Sequence, residues 1–199
     1  MKKTLPSTQN GLPDLPISEV GAILPSSWEM EFIHFSQVTP ATQEIIDRLD
    51  HLAFAGETDE GINEWADSDW MVLGRVDGEL VSQLGLLKRE IRVGGAPITV
   101  GGVGGVATLP VWQRHGLATA LMGAAAKFLQ TEIKVSFGLL VCADETQPFY
   151  ARLGWKTVAT ELWVLQGEIS LPLRTIVMVL PLADQGWPQG KIDLCGPGW

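Results

Sequence analysis

From Glu29 to Phe35 apolar and polar residues alternate, a period of two that predicts a strand. Thr39-Pro-Ala-Thr-Gln-Glu44 then reads as an N-cap opening an amphipathic helix, with Ile45, Ile46, Leu49, Leu52 and Ala53 along one side. The runs Trp70–Val76 and Leu80–Leu87 flank Asp77-Gly78-Glu79, and Asp-Gly between apolar runs is a hairpin signal. A second turn, Gly94-Gly95-Ala96-Pro97, feeds Ile98–Thr108, whose many glycines suggest a bulged strand or one closely approached by a ligand. Helical spacing returns from Arg114 to about Gln130, where Leu117, Leu121, Ala124, Ala125 and Phe128 form one face. Phe137–Cys142 reads as a buried strand and Thr146–Leu153 as a short helix closed by Gly154. Trp155–Leu165 and Thr175–Leu182 read as two last strands. The order β-α-β-β-β-α-β-α-β-β predicts an α+β fold, a mixed, mostly antiparallel sheet of about seven strands with helices on both faces.

Length and composition set the bounds. A chain of 199 residues with 46% hydrophobic content fills one domain. We place it at 26–183, between a loosely ordered, Pro-, Ser- and Gly-rich segment 1–25 and a C-terminal tail 184–199. Cys142 and Cys195 are too few for a disulfide framework or a zinc site, so no metal is expected and a reducing cytoplasm is the simplest setting. Lys2 and Lys3 are followed by Pro6, Asn10 and Pro13 rather than an apolar run, so no signal peptide is expected. No apolar stretch reaches the roughly 18 uninterrupted residues of a membrane helix. The net charge of −9 argues against a nucleic-acid partner. Between Arg48 and Arg75, Glu57, Asp59, Glu60, Glu64, Asp67 and Asp69 gather around Trp65 and Trp70. That stretch is either a solvated face or one wall of a site for a cationic substrate such as a polyamine, with Asp69 and Trp70 its candidate contacts.

The segment from Val106 to Ala118 carries the clearest chemistry. An apolar run breaks at Pro110 and reopens as a helix through Gln113-Arg114-His115-Gly116-Leu117-Ala118. Small residues at such a turn let backbone N–H groups approach phosphate oxygens, while the helix directs its positive end at the same point. A pyrophosphate fits there, which makes coenzyme A the leading ligand.

The Gln-x-x-Gly-x-Ala turn, the strand before it and Phe149-Tyr150-x-x-Leu-Gly154-Trp155 downstream resemble the acetyl-CoA-binding core of the GNAT superfamily of N-acetyltransferases. Four further pieces resemble its aminoglycoside 2'-N-acetyltransferase group: Pro97–Gly101, Phe137–Asp144 continuing through Tyr150 to Trp155, Val177–Pro181, and Cys195-Gly-x-Gly-Trp199. That group places a glutamate base on the fourth strand, and Gly104 stands at the matching position here.

The resemblance implies direct acetyl transfer from acetyl-CoA to an amine. Backbone groups of Val106, Ala107 and Thr108 would hold the pantetheine arm and polarise the thioester, and Gln113, Arg114, His115, Gly116, Leu117 and Ala118 would take the pyrophosphate. Tyr150, the only tyrosine, occupies the superfamily's general-acid position; its bland alternative is a half-buried core residue. Candidate bases are Asp144, Asp69 and Asp193, with water a further alternative. In the resembled group the terminal tryptophan carboxylate contacts the substrate, and Trp199 would do so here, alongside Asp193; a surface-packed tail is the alternative. His34 and His51 lack partner spacing, and Cys142 reads as a small hydrophobe. The function expected is an N-acetyltransferase for a small cationic amine, aminoglycosides leading. Another amine or a peptide N-terminus, and a non-catalytic acyl-CoA sensor, are the alternatives, with a homodimer as one assembly.

Overall fold

A computed structural model describes residues 24–55 and 62–199. The segment 1–23 and the acids Glu57, Asp59 and Glu60 lie outside the described residues. The elements run β1 Trp28–His34, α1 Pro40–Ala53, β2 Trp70–Val76, β3 Glu79–Val93, β4 Ala96–Thr108, α2 Leu117–Phe128, β5 Phe137–Cys142, α3 Gln147–Arg152, β6 Lys156–Val158, β7 Leu162–Gln166, β8 Ile169–Leu173, β9 Ile176–Pro181 and β10 Ile192–Asp193.

All ten strands belong to one mixed sheet, against about seven expected from the pattern. β3 is long enough to be a fork. Its first part pairs with β2 and its end with β10, while β4 runs antiparallel along its other edge. The run Trp155–Leu165 is two strands rather than one: β6 pairs with β9, whereas β7 pairs with β10 and β8. Asp77 and Gly78 both take positive φ, as a tight hairpin turn demands, and so do Gly94 and Gly95.

Strand alternation sorts the core into two faces. Val72, Leu84, Leu86, Val103 and Leu140 face α2, where Leu121, Met122, Ala125 and Ala126 cover them. Met71, Leu73 and Ala107 face α1 and meet Ile46 and Leu49. Farther along that second face, Ile91, Val100 and Leu139 are covered by the tail, with Ile192, Leu194 and Trp199 in the same cluster. The tail is thus part of the core. On α1, only Ile46 and Leu49 are buried; Ile45 and Leu52 remain 41% and 47% exposed, so the apolar stripe is narrower than its sequence suggests. Thr39 caps the helix as expected, its hydroxyl accepting from the Thr42 N–H at 3.2 Å.

Candidate active site

β4 and β5 are parallel but pair only at Gly101 with Gly138 and Gly102 with Leu139. Beyond those residues the two strands part, so the edge of β4 from Val103 to Thr108 has no β5 partner; the Ala107 and Thr108 carbonyls accept instead from Ser82 Oγ at 3.1 Å and Gln113 Nε2 at 3.2 Å. On its other edge β4 slips in register between the pairs Gly85–Gly104 and Gln83–Ala107. Gly105 is the extra residue of this bulge, with φ at +56°. An extended arm bearing amide groups fits such an opening by strand-like hydrogen bonding.

The turn expected to hold a pyrophosphate lies directly beyond β4. A 3-10 turn at Pro110–Trp112 leads to Gln113, whose Nε2 donates to the Thr108 carbonyl at 3.2 Å. Arg114 and Gly116 take left-handed φ values of 63° and 81°, so α2 begins at Leu117 rather than at Arg114. Intrahelical bonding starts with the Ala120 N–H to the Gly116 carbonyl, which leaves the preceding N–H groups at the helix entrance. His115 turns back, its Nδ1 2.9 Å from the Gln113 carbonyl. Val106–Thr108 and Gln113–Ala118 therefore follow one another along the unpaired edge and around the helix start, with Ala107 and Leu117 buried. Tyr150 of α3 is buried with Val103, Leu140 and Cys142, and its ring lies edge-on to Phe149 and Trp155 with centroids 5.0 and 6.5 Å away. It thus packs where the two strands diverge. Burial raises the pKa of the Cys142 thiol, and that sulfur lies 3.8 Å from the sulfur of Met178, which suits a small hydrophobe.

The other face of the bulge is bordered by the tail and by α1. A Cβ on Gly102 would strike the Trp199 indole, and one on Gly104 would stand 2.6 Å from the Trp199 carbonyl carbon. The indole Nε1 donates to the Leu139 carbonyl at 3.2 Å, and the Arg89 guanidinium lies 5.0 Å from the ring. Arg89 also donates to the Pro197 carbonyl, and burial lowers its pKa. The acidic stretch joins the same border: Ala66 N–H donates to the Gly198 carbonyl at 2.7 Å, and Trp65 is 48% exposed beside it.

The acidic candidates lie apart: Asp69 precedes β2, Asp144 follows β5, and Asp193 pairs with Arg92 of β3, seven residues along the strand from the Gly85 that faces Gly104, or roughly 24 Å at strand rise, so it is not brought to the bulge. Asp69 Oδ2 accepts from the Lys88 N–H at 2.8 Å, fixing the entry to β2. Asp193 Oδ1 accepts from the Cys195 N–H at 2.9 Å, fixing the tail turn. Asp144 is exposed just past β5. Trp70 is not brought to them; its ring packs on Phe128 of α2 and beside His34, on the opposite face.

Sequence reasoning missed Asp50 and Gln83. Asp50 Oδ1 accepts from Gln83 Nε2 at 2.8 Å and lies 3.7 Å from where a Cβ on Gly105 would stand. Its signal was its place in the buried stripe, four residues after Ile46. Burial is the main cause that raises its pKa from 3.8 to about 6, with Asp47 adding repulsion and the Gln83 bond opposing. A raised carboxylate pKa contributes stability below the unfolded value and loses it as pH rises through about 6. After discounting for solvent screening, Asp50→Asn is expected to stabilise the fold by about 1 kcal/mol at neutral pH and by nothing near pH 3, read from urea midpoints.

The model of the GNAT acetyltransferase domain matches residues 35–158, well over half of the chain. The chain belongs to the GNAT acetyltransferase family. No curated protein matches it. Its fold is shared with Escherichia coli ElaA at 18% identity and a TM-score of 0.57, covering 77% of this chain and 99% of that one. A GNAT family acetyltransferase from Brucella melitensis, in complex with acetyl-CoA, matches at 17% identity and a TM-score of 0.57, covering 82% and 94%. FeeM, an N-acyl amino acid synthase from uncultured soil microbes, matches at 12% identity and a TM-score of 0.55, covering 78% and 92%. As a GNAT enzyme the chain is an acyltransferase that uses acetyl-CoA. Among the described residues no helix is long and apolar enough to cross a membrane, and no cluster of side chains is suited to a metal.

Proposed function

We propose that this GNAT enzyme transfers acetyl directly to the amine of a small cationic substrate, with aminoglycosides the leading specific class. The single observation that carries this is the two-sided opening at the bulge of β4. An unpaired strand edge leads to the α2 entrance on the donor side, and Asp50, Asp47 and the tail border the acceptor side. Among the described residues the charge acting on Asp50 is that of Asp47 rather than a cation, and such a pair of carboxylates favours an ammonium over an anionic acceptor.

In this reading the N–H groups around Gly116 hold the pyrophosphate and the main chain of Val106–Thr108 orients the thioester. Acetyl-CoA supplies the acyl thioester, and Tyr150 protonates the departing thiolate. Asp69 and Trp199 shape the acceptor border, and Asp144 stands at the outer end of β5. Crowding of Gly104 by Trp199 favours a second reading, an amine other than an aminoglycoside, because the resembled group carries its glutamate there.

Thiol release from acetyl-CoA with aminoglycosides, polyamines and peptide amines tests the proposal. Turnover with a cationic amine is the expected result, and release restricted to neutral or anionic acceptors contradicts it. Tyr150→Phe is expected to lower kcat about tenfold, since a thiolate is already a good leaving group and its protonation contributes modestly. An unchanged kcat removes Tyr150 from that role.

A further inference from the structure

Trp199 takes the room that a side chain at Gly104 would need, so no base stands on β4 at that position. We propose that Asp50 of α1 is the general base that takes the proton from the acceptor amine, an assignment that rests on the N-acetyltransferase reading above. α1 anchors Ile46 and Leu49 in the core, and the same stripe brings the Asp50 carboxylate against the bulge where β4 leaves β5.

Gln83 supplies the second observation. Its side chain is fully buried; Nε2 holds Asp50 at 2.8 Å and lies 3.4 Å from the Ile46 carbonyl, while Oε1 has no hydrogen-bond partner. A buried acceptor left open costs stability, and natural folds retain one chiefly where a ligand or water completes it. An ammonium carries several N–H donors. It can satisfy both Oε1 of Gln83 and the free edge of the Asp50 carboxylate, which an ester or carboxylate acceptor cannot.

The other candidates lack this setting. Asp69 and Asp193 each hold a backbone N–H, and Asp144 is exposed. Among the described residues, the groups on the Asp50 side of the bulge are Asp47 on its own helix, the neutral Gln83 of β3, the glycine main chain of β4 and, over the adjoining Gly104, the main chain of Trp199. With its pKa raised to about 6, Asp50 is ionised at neutral pH yet more basic than a surface aspartate, as suits a base.

The step balances. The ammonium gives one proton to Asp50, which passes it to solvent. The amine nitrogen then bonds to the acetyl carbon as the C–S bond breaks. Its surplus proton goes to Asp50, which again passes it to solvent, and the thiolate is protonated by Tyr150, which is reprotonated from solvent, for a net release of one proton.

The test compares wild type, Asp50→Asn and Gln83→Met with acetyl-CoA and the polyamines and aminoglycosides of the panel, following kcat/KM against pH. Binding of acetyl-CoA is measured separately, and the carboxyl carbon resonances of the unliganded protein are titrated by NMR. Wild type should show an acid limb near 6, and one carboxyl should titrate there and vanish in Asp50→Asn. Asp50→Asn should lose the limb and about a hundredfold in kcat/KM while binding acetyl-CoA normally. Gln83→Met removes the bond that lowers the pKa and should move the limb upward. Wild-type activity in Asp50→Asn, loss of acetyl-CoA binding in that variant, or titration of the Asp50 carboxyl itself in the ordinary range overturns the assignment and leaves the N-acetyltransferase reading standing. Absence of turnover with every amine in wild type overturns both.

Discussion

Gly104→Glu, which restores the acid of the resembled group, is expected to cost about 3 kcal/mol of stability and at least a hundredfold in activity. The new Cβ would stand 2.6 Å from the carbonyl carbon of Trp199, a separation that non-bonded carbons do not tolerate, and the obstacle is main chain rather than a flexible side-chain end. Relief requires the tail to lift. Lifting it withdraws an indole that is 8% exposed, breaks its bond to Leu139 and uncovers Gly102 beneath the ring. The hydrogen bond from Ala66 to Gly198 goes with it, so amide exchange at Ala66 should accelerate alongside the fall in the urea midpoint. A variant as stable as wild type with enhanced acetylation would show that the tail is not seated over β4.

Gly116→Val is expected to weaken acetyl-CoA binding by about a hundredfold or more while leaving the fold largely intact. Gly116 caps α2 with φ 81° and ψ 2°, a left-handed conformation that costs an ordinary residue about 1–2 kcal/mol and a β-branched one more. The chain can escape that strain only by changing the turn that aims the helix-entrance N–H groups. A phosphate held by several such groups loses them together, and a hundredfold corresponds to about 3 kcal/mol. Calorimetric titration with acetyl-CoA gives the number directly. Equal affinity in the variant would place the pyrophosphate elsewhere.

The strands and the turn ahead of α2 were legible in the sequence because they are local. β2 and β5 coincide with the apolar runs Trp70–Val76 and Phe137–Cys142, and Asp77-Gly78 forms the hairpin that its residues require. The turn through Gly116 was visible as small residues ahead of a helical period. Elements decided by distant pairing were not. β8 contains Pro172, β10 has two residues, and both exist because neighbouring strands accept them. Trp155–Leu165 reads as one apolar run, yet the chain leaves β9 after Val158 and joins a different part of the sheet at Leu162.

The acceptor side was hidden for the same reason. Trp199 meets Gly104 across nearly half of the chain, and Asp50 meets Gln83 and Gly105 only after α1 has docked on the sheet. The blank at Gly104 was readable, but what fills it depends on where the tail lies. Asp50 could have been noticed as an acid inside the stripe of Ile46 and Leu49.

A crystal structure with coenzyme A bound tests the account most directly. Pyrophosphate oxygens are expected within hydrogen-bond reach of the N–H groups from Gly116 to Ala118. The pantetheine should pair with Val106–Thr108 between the parted strands, and the sulfur should lie between Tyr150 and the bulge at Gly105. Coenzyme A bound away from the opening between β4 and β5 would contradict it.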